Sequence, residues 1–267
     1  MPVNFQQKAS YGIDDLLEIM ALLRGEDGCP WDREQDHHSI RRNFLEETYE
    51  VLEAIDTEDP VLLREELGDV LLQVVFHARL EQEAGRFDFG DVCDGICKKL
   101  ILRHPHVFGT AEVSDSGEVT QNWDRIKAKS KGQTTASQTL ESVPRVLPAL
   151  MRSDKIQSRA AKAGFAYPEF SWAMKDLESE LEELKEAAAS GSEAQIGEEL
   201  GDLLFAAVNA ARMLHQDPEE RLDKACEKFI GRFTQVEQLA LKRGIDLKTA
   251  SAEQLSNLWS EAKALRM

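Results

Sequence analysis

The sequence predicts an all-α protein made of tandem duplicated helical-bundle domains, and three observations carry that prediction. Helix-period spacing of apolar residues dominates the chain, and strand-like alternation is nearly absent. The stretch "EELGDVLLQVVFHAR" (Glu65–Arg79) returns as "EELGDLLFAAVNAAR" (Glu198–Arg212), 198 − 65 = 133 residues later. The same offset lays "LEETYEVLEAI" (Leu45–Ile55) over "ESELEELKEAA" (Glu178–Ala188) without a gap, and a period this long indicates a duplicated domain rather than a solenoid repeat.

Taken in order, Ile13–Leu23 carries apolar residues at 13, 16, 17, 19, 20 and 23, the stripe of an amphipathic helix. A second helix covers Ile40–Ile55 and stops near "DTEDP", where Pro60 is suited to open the next. The third runs from residue 61 to about 84, with Gly85 as its C-terminal stop. A fourth begins in "FGDVCDGICKKL" and should end before Pro105. Residues 109 to 142 are rich in Gly, Ser and Thr, a loop or linker composition with a short helix around "NWDRIKAK". The helical pattern resumes after Pro148. The expected partition is therefore a domain over 1–130, a linker over 131–148 and a second domain over 149–267.

Acidic residues exceed basic ones by 49 − 32 = 17, which argues against a nucleic-acid partner because that normally calls for a basic surface. No apolar run approaches 18 residues and the start has no basic-then-apolar leader, so the expectation is a cytoplasmic protein with no membrane span. Cys29, Cys93, Cys97 and Cys226 are too few for a disulfide framework in a chain of 267 residues. Cys93, Cys97, His104 and His106 lack a convincing zinc spacing and read as packing or turn residues.

The chemistry lies in the carboxylates. Glu47 and Glu50 are three apart, as are Glu66 and Asp69, so each pair shares a helix face, and a short turn at 57–60 sets the two helices antiparallel. Glu180, Glu183, Glu199 and Asp202 repeat the pattern, with 66 − 50 = 199 − 183 = 16 residues between the second and third acids of each set. Most Glu residues are simply solvated helix surface. Four acids beside an apolar stripe, preserved through a duplication, instead point to a cation, since without one they would repel and lose hydration. An all-oxygen donor set favours Mg²⁺ or Mn²⁺, and carboxylate-held Mg²⁺ typically leaves positions for phosphate oxygens. There is no Gly-x-x-x-x-Gly-Lys loop, so a P-loop is excluded.

The pattern E-E-x-x-E, a spacer, then E-x-x-D resembles the signature of the MazG-like all-α nucleoside triphosphate pyrophosphohydrolases. "GCPWD" (Gly28–Asp32), "RFDFGD" (Arg86–Asp91), "RHPHVFG" (Arg103–Gly109), "KIQSRAAKAGF" (Lys155–Phe165) and "LWSEAKA" extend the resemblance over nearly the whole chain. It implies a Mg²⁺-dependent homodimer that hydrolyses nucleoside triphosphates to monophosphate and pyrophosphate, mainly in the second half. It further implies Glu180, Glu183, Glu199 and Asp202 as metal ligands, with Glu47, Glu50, Glu66 and Asp69 as their first-half counterparts. Lys228 and Arg232 fall on phosphate-contacting positions, Trp259 on a base-contacting one, and Asp176 in the nucleotide-binding stretch. One departure stands out: the leading Glu is Glu46 in the first half but Ser179 in the second. It leaves room for a competing reading, a helical module that binds metal and nucleotide without turnover.

Overall fold

A computed structural model describes residues 5–111, 113 and 115–265. Among them every regular element is a helix, thirteen in all, and the chain divides into two compact units, residues 1–127 and 128–267.

The first unit contains α1 (Ile13–Leu23), α2 (Pro30–Glu34), α3 (Arg41–Asp56), α4 (Pro60–Glu83), α5 (Phe89–Arg103), α6 (Pro105–Phe108) and most of α7 (Ser116–Ser130). Its core joins Met20 of α1, Ile40 ahead of α3, and Val75 and Phe76 of α4. The turn between α3 and α4 is compact for local reasons. Glu58 takes a left-handed conformation (φ +54°), and the Asp59 N–H reaches back to the Ala54 carbonyl at 3.1 Å. The Asp59 side chain then caps α4, accepting from the N–H groups of Val61 and Leu62, with Pro60 at the first helical position. Gly85 (φ +69°) ends α4 as expected, with the Arg86 N–H on the Glu81 carbonyl at 3.0 Å. Arg24 ties the unit together: its guanidinium donates to both Glu83 oxygens, with Nη2 at 2.8 Å from Oε2, and lies over the Phe76 ring.

The second unit contains the end of α7, α8 (Ala136–Glu141), α9 (Ala149–Lys162), α10 (Phe170–Ser190), α11 (Glu193–Met213), α12 (Pro218–Arg243) and α13 (Ala252–Ala264). α10 and α11 form the antiparallel pair that repeats α3 and α4, but the turn between them uses a left-handed Gly191 followed by the Ser192 cap. α12 and α13 close on a separate cluster of Val236, Ala240, Leu258 and Ala262.

Two helices were not anticipated. α2 arises in "GCPWD", where Pro30 suits a helix start and Gly28 permits close approach: a Cβ there would lie 2.2 Å from the Leu23 carbonyl oxygen. α8 lies in the Ser/Thr-rich stretch read as linker. Thr135 and Gln138 form a capping box, Arg159 of α9 bonds the Thr139 carbonyl and the Ser142 hydroxyl, and Val143 is buried. Polar composition there serves caps rather than disorder. No described helix is long and apolar enough to cross a membrane.

Candidate functional site

Each antiparallel pair brings its acids together. In the first unit, carboxylate oxygens of Glu47, Glu66 and Asp69 lie within 4.8 Å of one another, and in the second unit those of Glu180, Glu199 and Asp202 do the same. The helical positions explain it: three-residue spacing aligns acids within a helix, and the tight turn brings the facing helix into register.

The fourth acids sit at the edge of each cluster. Glu50 hydrogen-bonds to Glu47 and its charge bears on Glu66. Glu183 is the nearest charge to both Glu180 and Glu199, and its Oε1 accepts the Ser179 hydroxyl at 3.1 Å. Glu46, which stands where Ser179 does, pairs instead with Arg42 on the outer face of α3 at 2.8 Å.

The electrostatics are those of crowded like charges. Lost hydration, the hydrogen bond to Glu50, and the charges of Asp69, Glu50 and Glu66 hold the Glu47 carboxyl above its ordinary range. Glu66 is raised by lost hydration and then by Glu50, Asp69 and Glu65. In the second unit Glu180 is raised by lost hydration, then by Glu183, Asp202, Asp176 and Glu199, and Glu199 by lost hydration, then Glu183, Glu198 and Asp202. A divalent cation would relieve this strain, and three convergent oxygen ligands of full negative charge suit a hard ion. The donor set therefore fits Mg²⁺ or Mn²⁺ in both copies.

Beside the second cluster α9, α10 and α11 enclose a cleft of about 390 Å³. The Tyr167 hydroxyl at its mouth donates to Asp176, and burial, that bond and the charges of Asp176 and Glu180 together raise the phenol's pKa. Asp176 lies one turn before Glu180, so cleft and acids occupy successive turns of one helix, about 6 Å apart along its axis.

The remaining predicted residues stand elsewhere. Lys228 and Arg232 lie on α12, the first exposed and the second half-buried, and the contacts described do not join either to the acids. Trp259 on α13 packs against the α12–α13 cluster, its ring 5.2 Å from that of Phe229. Their first-half counterparts pack on each other, with the Arg103 guanidinium 5.1 Å from the Trp123 ring centre. Cys93 and Cys97 are exposed and free.

The profile of the MazG nucleotide pyrophosphohydrolase domain matches residues 35–108 and 170–237, the two segments that contain the acid clusters. The chain is 45% identical over 254 residues to the nucleoside triphosphate pyrophosphohydrolase of Escherichia coli (strain K12), covering 94% of this chain and 97% of that one. It is 42% identical over 257 residues to the nucleoside triphosphate pyrophosphohydrolase/pyrophosphatase MazG of Thermotoga maritima, covering 96% and 98% respectively. The Bacillus subtilis protein YabN is 41% identical over 263 residues, with this chain spanning 54% of its length.

Proposed function

The chain belongs to the MazG nucleotide pyrophosphohydrolase family, and from that premise we propose that it is a nucleoside triphosphate pyrophosphohydrolase that needs Mg²⁺, with Mn²⁺ as substitute. The observation that carries the reading is the convergence of Glu180, Glu199 and Asp202 within 4.8 Å beside a cleft.

In the proposed reaction a water oxygen bonds to the α-phosphorus, the α–β anhydride bond breaks, and pyrophosphate leaves as the monophosphate forms. Glu180, Glu199 and Asp202, with Glu183 at the edge, would hold the divalent ion. When bound, such an ion neutralises phosphate charge and makes the attacking water more acidic. Ser179 fixes the Glu183 carboxylate through its hydroxyl and so sets where that charge meets the ion or its waters. Asp176, bonded to Tyr167, forms the wall between acids and cleft. Lys228 and Arg232, four apart on α12, are suited to meet charge on the leaving pyrophosphate, and Trp259 is a candidate base contact. The same acid set in the first unit is a second candidate cation site, formed by Glu47, Glu66 and Asp69 with Glu50. The functional form is proposed to be a cytoplasmic homodimer acting on several nucleotides, with a role in nucleotide-pool or stress-nucleotide control.

Incubating the pure protein with ATP and Mg²⁺ tests the reading. AMP and pyrophosphate in equal amounts support it. ADP with phosphate overturns it, and unchanged ATP moves the protein to the non-catalytic binding module.

A further inference from the structure

The floor of the cleft carries polar atoms that folding leaves without partners. Gln157 of α9 is 8% exposed; its Nε2 donates to the Phe205 carbonyl at 2.8 Å, and its Oε1 is buried with no partner. That single bond fixes the amide's orientation, because a carbonyl can only accept, so the oxygen is the atom left facing the cleft. Arg212 of α11 is in a similar state: one Nη donates to Asn209 Oδ1 at 2.7 Å, while Nε is buried and unpartnered. A buried acceptor and a buried donor without partners are costly, and they are tolerated where a ligand completes them.

The duplication shows that packing alone does not require these groups. At the 133-residue offset Asn209 corresponds to Phe76, which is 4% exposed in the first unit's core. Arg212 corresponds to Arg79, whose Nε bonds Glu83 at 2.8 Å, but Gln216 stands where Glu83 would. The second copy therefore holds a polar residue where the first is filled by an aromatic ring, and its arginine has lost the acid. The walls are otherwise mostly apolar, including Ile156, Phe165 and Phe205. At about 390 Å³ the space falls at the small end of ligand sites, which run from about 300 to 1,000 Å³.

Building on the function proposed above, we infer that this cleft takes the nucleobase, and that Gln157 Oε1 accepts a hydrogen bond from an exocyclic amino group of adenine or cytosine. The adjoining ring nitrogen of either base is an acceptor and complements the Arg212 and Asn209 donors. A phosphate group is disfavoured there because it would face the Gln157 oxygen. The geometry along the helices agrees: Asn209 follows Asp202 by seven residues, two turns on the same face of α11, about 10 Å from the acids.

The test uses the full chain with Mn²⁺ and nucleoside monophosphates, so that no turnover intervenes. AMP is compared with purine riboside monophosphate, which lacks only the 6-amino group, and CMP with its 2-pyrimidinone counterpart, which lacks the 4-amino group. The native protein is expected to bind the amino-bearing member of each pair roughly tenfold more tightly. In Gln157→Met that preference disappears while Mn²⁺ affinity is unchanged. Asn209→Phe, which imitates the first copy, should lose binding of all four compounds and still bind Mn²⁺. Equal preference in native and Gln157→Met protein overturns the inference, as does undiminished binding by Asn209→Phe or no binding by the native protein. Release of pyrophosphate from ATP, followed separately, reports on the function itself, so one reading can fail while the other stands.

Discussion

The Ser179 hydroxyl donates to Glu183 across one turn of α10, at 3.1 Å, at the position where the first copy carries Glu46. A serine thus does by orientation what an extra carboxylate could do only by adding charge to a crowded cluster. Ser179→Ala should leave Mn²⁺ stoichiometry intact but lower turnover by roughly three- to tenfold, the range of one exposed hydrogen bond. Paired Mn²⁺ titration and pyrophosphate assays check it; unchanged turnover would reduce the contact to a surface detail.

The two acid clusters should not contribute equally. Glu199→Gln with Asp202→Asn is expected to cut pyrophosphate release by roughly 100-fold or more, since cation stabilisation of the transition state is worth several kcal/mol. Glu66→Gln with Asp69→Asn should change it by less than about threefold. The reverse pattern would place the chemistry in the first unit.

The raised carboxyls fix the sign of a pH effect. Glu47, Glu66, Glu180 and Glu199 bind protons more readily in the folded chain than the ordinary value of 4.5 allows. Their contribution is therefore unfavourable above the raised values and is relieved as pH falls towards 4.5. Glu81 has the opposite sign: Arg86 above all, aided by His37, holds it at about 2, so its stabilisation is present above 4.5 and lost as pH falls through 2. Without metal the melting temperature should rise from pH 7 towards the raised values, then fall in stronger acid. Saturating Mg²⁺ should flatten the first limb by keeping the acids ionised. A metal-free curve that only falls as pH drops from neutrality would contradict the crowding.

Arg24 is the strongest polar anchor of the first unit, with its side chain only 6% exposed against Glu83 and Phe76. Arg24→Met should cost that unit about 2–3 kcal/mol, because it also removes the donor to the Gln35 carbonyl. Urea unfolding followed at the Trp31 and Trp123 region would show the loss. The second unit's cation affinity should be unaffected.

Much of this arrangement was legible in the residues. Long helices such as α4 and α11 declare themselves through apolar stripes, and the acids through their duplicated spacing. Short helices did not: α2 is five residues long and depends on a close backbone approach at Gly28, while α8 is built from caps whose residues also make loops. Gln157 and Asn209 escaped because a polar residue on an otherwise apolar stripe carries no label until its neighbours are known. The signal was nevertheless present in the alignment of the two halves, where Asn209 falls opposite Phe76. Lys228, Arg232 and Trp259 drew attention only through family likeness, and no periodicity could have singled them out.

The hairpins α3–α4 and α10–α11 each gather their acids from strictly local sequence, within 69 − 47 = 22 and 202 − 180 = 22 residues. Closing so short a segment costs little chain entropy and happens early in folding. Mutual repulsion would slow that step, and a dissolved cation would speed it. Magnesium would then act first as a folding chaperone during synthesis, capturing each nascent hairpin before the helices that later surround it have emerged.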